Sequence, residues 1–225
     1  ARALRKDFAR SQSQSTEDPD LAKAEPRFHF DNKSWALPAS EAEYREAIKS
    51  LERYMARLGG SSQSGAKFYT RADNLNAWLG DAATRLGSLS QRLSASVGQV
   101  RLNTDTALQD VVEGQAVQVN EGTYETPWMQ IDNVFYEARG QAWALSHLLR
   151  AIEVDFADVL AKKNATVSVR QIIRELEAAQ ETLWSPMILN GSGYGLLANH
   201  SLVMANYISR ANAGLIDLRQ LLSQG

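Results

Sequence analysis

Apolar residues that recur in alternating steps of four and three constrain the fold of this chain more than any other feature. Between residues 75 and 97 they place one continuous stripe along a long helix, and helices with such stripes pack on one another in bundles. The stripe consists of Leu75, Leu79, Ala82, Leu86, Leu89, Leu93 and Val97. The spacing therefore predicts an all-α fold.

Four other stretches repeat the same spacing of apolar residues, at about 40–58, 126–159, 168–184 and 199–222. The second of these would form a helix of almost 35 residues, which is about 50 Å long at 1.5 Å per residue. Helices of that length need partners of similar length. We therefore expect one elongated bundle of about five principal helices, in which short connectors join antiparallel neighbours.

Capping residues mark the ends of several predicted helices. Ser40 is followed three residues later by a glutamate, which makes a capping box, and Gly59 and Gly60 follow the end of that helix. Thr126 and Pro127 form an N-cap with proline at the first helical position, and Pro186 is expected to end the fourth helix at Trp184.

Two regions do not follow the helical rhythm. Residues 1–39 are predicted to form an extended arm that docks on a single helical domain at 40–225, because Phe28, Phe30 and Trp35 are too apolar for a free linker. Residues 99–126 are predicted to form a small irregular insertion or a hairpin, since Val117, Val119 and Tyr124 alternate around Asn120-Glu121-Gly122.

Composition excludes several classes of function. The chain has 225 residues, with 24 Lys plus Arg against 26 Asp plus Glu, and a net charge of −2 supplies no basic field for nucleic acid. It contains no cysteine, which excludes disulfides, thiol catalysis and cysteine-based metal sites. It has no apolar run of 18 residues that could span a membrane. The start lacks both an initiator Met and a signal-peptide hydrophobic region, so we expect a piece of a longer protein.

Four motifs together resemble a known family. They are SQSQSTEDPDL at 11–21, RADNLNAWL at 71–79, LGSLSQRLSAS at 86–96, and LNGSGYG at 189–195 with ANHSLVMAN at 198–206. As a set they resemble the uncharacterised bacterial domain-of-unknown-function family number 2333. The resemblance implies a Gram-negative envelope protein whose longer form has one N-terminal membrane helix, with this chain as its soluble, periplasmic region at the inner membrane. It implies no reaction and no catalytic residues.

No pattern for metal or cofactor chemistry is present. His29, His147 and His200 lie far apart in sequence, and no His-Glu-x-x-His or Glu-x-x-His pair exists. We interpret His147 as a partly buried, hydrogen-bonded residue. The carboxylates Glu153, Asp155 and Asp158 face different sides of one helix and are expected in solvent. We therefore expect no metal site and no cofactor.

Other groups of residues are also expected to have structural and not catalytic or ligand-binding roles. The basic row Arg45, Lys49, Arg53 and Arg57 shares its helix with four acids and predicts a solvated face with weak ion pairs. The tryptophans at 78, 128, 143 and 184 fall on or beside apolar stripes, so packing is expected to explain them. Gly191-Ser-Gly lacks the strand and sequence of a nucleophile elbow, which excludes Ser/His/Asp hydrolysis.

The stretch Asn190–Gly195 is the most unusual one in the chain. Three glycines in five residues permit positive backbone dihedrals and expose amide groups before a helix N-terminus, a setting that suits an anion. A candidate ligand-binding pocket against the long helix predicted at about 126–159, the third in chain order, would contain Gly191, Gly193, Tyr194, Asn199 and His200. The competing interpretation is a tight turn between helices, and the spacing, which matches neither a dinucleotide fingerprint nor a P-loop, favours the turn.

The functional prediction follows from these observations. We expect a non-catalytic structural or protein-interaction module of the Gram-negative envelope, whose partner is an unidentified envelope protein and whose only membrane contact is an anchor outside this chain. The alternative is an envelope hydrolase acting on peptidoglycan glycan or peptide. It would use acids in or beside the insertion, namely Glu113, Glu121 and Glu125.

Overall fold

The structure is a computed structural model that describes residues 1–10, 17–28, 40–60, 65–102 and 121–224, without the side chains of 99–102 and 121–124. Within these ranges the chain forms seven α-helices and one two-stranded ribbon. The helices are α1 (Pro19–Arg27), α2 (Ser40–Gly59), α3 (Ala72–Ser94), α4 (Ile131–Asp155), α5 (Ala157–Lys162), α6 (Thr166–Ala178) and α7 (His200–Ser223), and the strands are β1 (Gln99–Leu102) and β2 (Glu121–Tyr124). The all-α prediction is confirmed.

Helices α3, α4, α6 and α7 alternate in direction and pack side by side. Ser90 Oγ near the end of α3 donates to the carbonyl of Ala205 near the start of α7, at 3.4 Å. At the far end of the same pair, Arg219 Nε donates to Asn76 Oδ1 at 3.0 Å. Ion pairs between α3 and α4, α4 and α6, and α6 and α7 show the same antiparallel arrangement for the other neighbours.

The shared core of these four helices is formed by the stripes that the sequence predicts. Its residues are almost completely buried, and burying each Leu, Ile or Phe side chain contributes roughly 1.5–3 kcal/mol. Its aliphatic members include Leu75, Leu79, Leu86, Leu93, Leu149, Ile172, Leu176, Ile208 and Leu215.

The start of the chain contributes to this core. A π-helical turn at Leu4–Phe8 places the Phe8 ring 5.4 Å from that of Phe156 and 5.5 Å from that of Phe68. Phe8 is buried, and its carbonyl accepts a hydrogen bond from the Tyr69 amide at 2.8 Å.

Two acids at the start of α1 clamp it to α2. Asp18 caps α1 by accepting from the amides of Asp20 and Leu21, and Arg57 of α2 binds both Asp18 and Asp20, at 2.7 and 2.8 Å. Arg53 adds a bond to Asp20 at 3.0 Å. Burial acts to raise the pKa of Asp20, but the hydrogen bonds from the two arginines outweigh it and hold that pKa below its ordinary value. The basic row of α2 therefore holds α1 in place as well as facing solvent.

The arm is only partly described, and its described part is helical at Leu4–Phe8 and Pro19–Arg27 and not extended as predicted, because Phe8 packs into the core and Asp18 caps α1. Phe28 stacks on Tyr44 of α2 at 6.1 Å and is half exposed, whereas Phe30 and Trp35 lie outside the described residues. Docking of the whole arm stays a prediction.

The insertion begins and ends in an antiparallel ribbon. Gln99 pairs with Tyr124 and Leu102 with Glu121. Glu121 and Gly122 are strand residues paired with β1 and do not form a turn. Val117 and Val119 lie outside the described residues.

The long helix predicted at about 126–159 differs from its prediction at both ends. Thr126 does not cap it; the Thr126 amide donates to Ala95, Pro127 is extended, and a 3-10 turn at Trp128–Gln130 precedes the first α-helical residue, Ile131. The helix then breaks at Phe156, where the backbone leaves helical values (φ −109°, ψ 20°). The buried Phe156 ring packs against Phe8 and Phe68, a tertiary contact without a local sequence signal.

The fourth predicted helix ends earlier than expected. α6 stops at Ala178 and not at Trp184, and Gln180 beyond its end is hydrogen-bonded in both directions to Arg139 of α4. Polar groups of the chain just after α6 are therefore hydrogen-bonded to a residue of another helix, well before Pro186.

Candidate functional site

The predicted ligand loop closes on itself as a short antiparallel pair. Asn190 and Asn199 form an isolated β-bridge. The Gly191 amide donates to the carbonyl of Ala198 at 3.0 Å, and the His200 amide donates to that of Leu189 at 3.0 Å. The loop therefore holds itself together through its own backbone.

The two polar side chains proposed to bind an anion are engaged inside this loop. Asn199 is buried and caps α7, because its Oδ1 accepts from the Leu202 amide at 2.8 Å. Its Nδ2 donates to Asn190 Oδ1 at 3.0 Å and to the Gly191 carbonyl at 2.6 Å. His200 Nδ1 accepts from the Leu189 amide at 3.0 Å. This arrangement favours the turn.

The glycines of the loop allow two segments of the chain to approach each other closely, and their backbone dihedral angles are not unusual. Gly191, Gly193 and Gly195 all have ordinary negative or extended φ values; among the described glycines the positive φ is at Gly98. A Cβ on Gly191 would lie 2.1 Å from the Leu197 carbonyl oxygen, so the two arms of the loop could not meet around a larger residue. The positive dihedrals that these glycines permit are therefore not used in this loop.

The structure brings together only part of the predicted set. Gly191, Asn199 and His200 are joined by the hydrogen bonds above, whereas the Tyr194 ring is fully exposed and does not close over them. His200 lines a cavity of about 190 Å³ that also contacts Phe135 and Arg139 of α4. Binding of an anion by these five residues stays a prediction.

Three of the tryptophans interpreted as packed are exposed. Trp78 is buried in the core, but Trp128, Trp143 and Trp184 are 78%, 58% and 93% exposed. His147, expected to be partly buried, is also exposed and meets the Trp143 ring edge-on, with 4.4 Å between ring centroids. Sequence periodicity placed these residues beside core stripes, but none of the helices that the structure describes covers that side of them.

One group of exposed residues forms a second stripe on α4. We call it the α4 stripe; it consists of Tyr136, Gly140, Trp143, His147 and Val154. These positions are spaced by four, three, four and seven residues, as in the seam of two packed helices. Tyr136, Gly140 and Trp143 border a groove of about 300 Å³ with Arg139 and Gln180, and a Cβ on Gly140 would touch nothing within 4 Å.

A second group lies where α3 and α6 end and α4 and α7 begin. Hydrogen bonds of Asn190 to Ser96 and of Arg139 to Gln180 hold these segments at one end of the bundle. We call its exposed apolar residues the apolar end. They are Trp128, Met129, Trp184, Met187, Tyr194, Leu196 and Leu197.

A third feature is a buried carboxylate in a cavity between the first turn, α3 and α4. Asp7 is only 7% exposed, and no described group donates a hydrogen bond to it. Desolvation by burial raises the pKa of its carboxyl, with a further contribution from nearby Asp81. The cavity of about 470 Å³ is lined by the apolar Trp78 and Leu86 and by Arg85. Sequence reasoning missed this residue, since an aspartate in a short polar segment carries no burial signal.

The acids and histidines considered for catalysis do not converge in the described part of the chain. Glu113 and His29 lie outside the described residues, Glu121 is described only in its backbone, and Glu125 is exposed. Glu153 pairs with Arg170 at 2.5 Å, as expected for a solvated face. No group of three or more His, Asp or Glu in the described ranges is placed to hold a metal ion.

The geometry defines an all-α protein of antiparallel packed helices with uncovered apolar surfaces. The model of the family DUF2333, described as an uncharacterized protein conserved in bacteria, matches residues 1–225, and the chain belongs to this family. Neither a curated protein nor a solved structure matches the chain. None of the helices in the ranges described combines the length and the apolar character needed to cross a membrane.

Proposed function

We propose that this chain is a non-catalytic interaction module of the Gram-negative cell envelope that binds a helix of a partner protein through the α4 stripe. The observation that carries the proposal is the exposure of two large aromatic residues in one row of α4, Tyr136 at 56% and Trp143 at 58%. Large aromatic side chains dominate the energetics of protein interfaces, and exposed apolar patches mark such sites.

The spacing of the stripe favours a helix as the bound element. Steps of four and three align side chains along one face only for a partner that runs beside α4. The groove at Gly140 lies between the two aromatic rings and is open enough to receive a side chain of that partner. Small residues between large ones allow helix backbones to approach closely.

The surroundings of the stripe resemble the polar rim of an interface. Glu137 is bound by Arg92, Arg150 by Glu177, and Arg139, which lines the groove, donates to the Gln180 carbonyl, so these three charged groups are already bonded within the chain. A partner covering the stripe would meet them as bonded groups, whereas removing water from unpaired charges is the costly step in burying charge.

Placement at the inner membrane, on the periplasmic side, remains part of the proposal and rests on the resemblance described above. The hydrolase alternative keeps its three acids, but no contact among the described residues favours it.

The test is site-specific crosslinking in the native envelope. A photoreactive residue at Trp143 of the full-length protein should give one adduct of discrete mass, and the same residue at Val167, exposed on α6 at the far end, should give none. Gly140→Leu places a large side chain in the groove at a position where a Cβ meets nothing within 4 Å, and it should abolish the adduct while leaving the fold intact. An adduct that survives Gly140→Leu, or equal adducts at both positions, would contradict the proposal.

A turnover assay separates the alternative. Purified peptidoglycan incubated with the protein should release no fragments. Fragment release that is abolished by Glu113→Gln or Glu121→Gln would replace the interaction module by a hydrolase.

A further inference from the structure

We propose that the apolar end of the bundle seats in the interfacial layer of a lipid bilayer, with Tyr194, Leu196 and Leu197 inserted furthest. This inference concerns a different surface from the α4 stripe and does not depend on the proposed function. Tyr194 and Leu196 are fully exposed, Leu197 is mostly exposed, and Trp184, Trp128 and Met129 lie at the same end. Exposing so many large apolar side chains to water is energetically unfavourable.

The segment that carries Tyr194, Leu196 and Leu197 contains no charge that a bilayer would have to desolvate. Between Glu181 and Arg210, 28 consecutive residues include no Asp, Glu, Lys or Arg. The segment that carries Trp128 and Met129 is likewise uncharged from Thr126 to Ile131. Charged side chains are the most expensive groups to move into a membrane, so their absence removes the main barrier to insertion.

Part of the loop backbone is already hydrogen-bonded within the protein, which favours insertion. Peptide groups exposed to lipid must be hydrogen-bonded within the protein, because lipid tails offer no partners. In the loop, the amides of Gly191, Gly195 and His200 donate to the carbonyls of Ala198, Ser192 and Leu189, respectively. Asn199 Nδ2 binds the Gly191 carbonyl as well. A self-paired loop can leave water at a lower cost than an open one.

The residue types favour a bilayer over a protein partner. Tryptophan and tyrosine concentrate at membrane–water interfaces, where an apolar ring and a polar tip are both accommodated, and leucine inserts below them. Protein interfaces are instead surrounded by a polar, charged rim, and the 28-residue stretch offers none. Since no lysine or arginine lies in it either, binding should not require anionic headgroups.

The absence of cysteine permits a direct measurement of depth. Leu196→Cys carries a nitroxide label at the apolar end, and Val167→Cys carries the same label at the opposite end, where α6 begins; both native side chains are exposed. The whole chain is mixed with phosphatidylcholine vesicles. The label at 196 should gain access to oxygen and lose access to a water-soluble nickel complex, and the label at 167 should change in neither respect.

Flotation with the same vesicles tests the energetics. Leu196→Ser combined with Leu197→Ser should lower the vesicle partition coefficient about tenfold or more, because two leucine side chains no longer insert. Val154→Ser combined with Val167→Ser, an equally exposed apolar pair at the other end, should change it less than about twofold. Adding phosphatidylglycerol or salt should have little effect.

Four results would overturn the inference. The first is no change at the 196 label with excess lipid, and the second is an equal change at both labels. The third is spectral broadening at the 196 label without lipid, which would place a second copy of the chain on this surface. Binding that requires phosphatidylglycerol and is lost in salt would also contradict it, because it would be electrostatic.

Discussion

Arg139 and Gln180 exchange two hydrogen bonds between α4 and the segment that follows α6. Arg139 Nη2 donates to the Gln180 carbonyl at 2.7 Å, and Gln180 Nε2 donates to the Arg139 carbonyl at 3.1 Å. The pair joins a point one-third of the way along α4 to a point just past the last residue of α6. It therefore holds the chain against α4 two residues after the end of α6 and two residues before the 28-residue uncharged stretch.

Replacing Gln180 should weaken the fold measurably. Gln180→Ala removes the donor to the Arg139 carbonyl and should lower the free energy of unfolding by about 1 kcal/mol. Urea denaturation gives the value. The matched control is Gln171→Ala, whose side chain bonds only to Glu175 of the same helix in solvent and should change stability by less than about 0.5 kcal/mol. Equal losses in the two variants would contradict a special role for the pair.

Two helical glycines should respond to alanine with opposite signs. A Cβ on Gly214 of α7 would lie 2.7 Å from Ile172 Cγ1 of α6, and a β-branched side chain in a helix cannot easily rotate away. Gly214→Ala should therefore destabilise by about 1–3 kcal/mol. Gly140→Ala meets nothing within 4 Å and should stabilise by about 0.5–1 kcal/mol, since alanine loses less backbone entropy. Thermal and urea unfolding of both variants give the sign of each change in the free energy of unfolding. A stabilised Gly214→Ala would show that the Ile172 side chain can move away from the new methyl group.

The loop glycines form a second matched pair. Gly191→Ala would place a methyl group 2.1 Å from a backbone oxygen, so the loop must open. Hydrogen exchange at the His200 amide, which donates to Leu189, should then accelerate by at least about tenfold, as the loss of a structured closure implies. In Gly193→Ala the nearest atom is Leu202 Cδ1 at 3.4 Å, an ordinary contact, and exchange should stay as in the parent chain. Unchanged exchange in Gly191→Ala would mean that the loop does not close through this contact.

Asp7 should make stability depend on pH in a defined direction. Because burial raises the pKa of its carboxyl in the folded chain, the folded state binds more protons than the unfolded state between about pH 4 and the raised pKa. Stability from this group is therefore present at acid pH and falls as the pH rises through that window. Asp7→Asn should be more stable than the parent chain at pH 7 and lose that advantage near pH 4. A pH-independent effect of Asp7→Asn would refute the assignment.

Part of the candidate site could be predicted from sequence. The unusual glycines at 191 and 193, and Asn199 before a helix, correctly indicated a sharp, polar connection at this place. What the sequence did not reveal is that Asn199 and His200 direct their polar atoms at the loop itself. Hydrogen-bond partners such as Leu189 and Gly191 become neighbours only when two strands of the loop pair, and linear spacing does not record that pairing.

Sequence alone determined the class of fold and the identity of most core residues, because a helix repeats every 3.6 residues and its buried face is written as a local period. The stripe from Leu75 to Leu93 is buried as its spacing predicts. Tertiary structure decided which apolar positions remain uncovered and where helices end. Trp143 and Trp184 are exposed, and α4 breaks at Phe156, because burial and backbone termination depend on segments such as Phe8 and Gln180 that are distant in sequence. A local period can state that a face is apolar, but it cannot state whether another helix arrives to cover it.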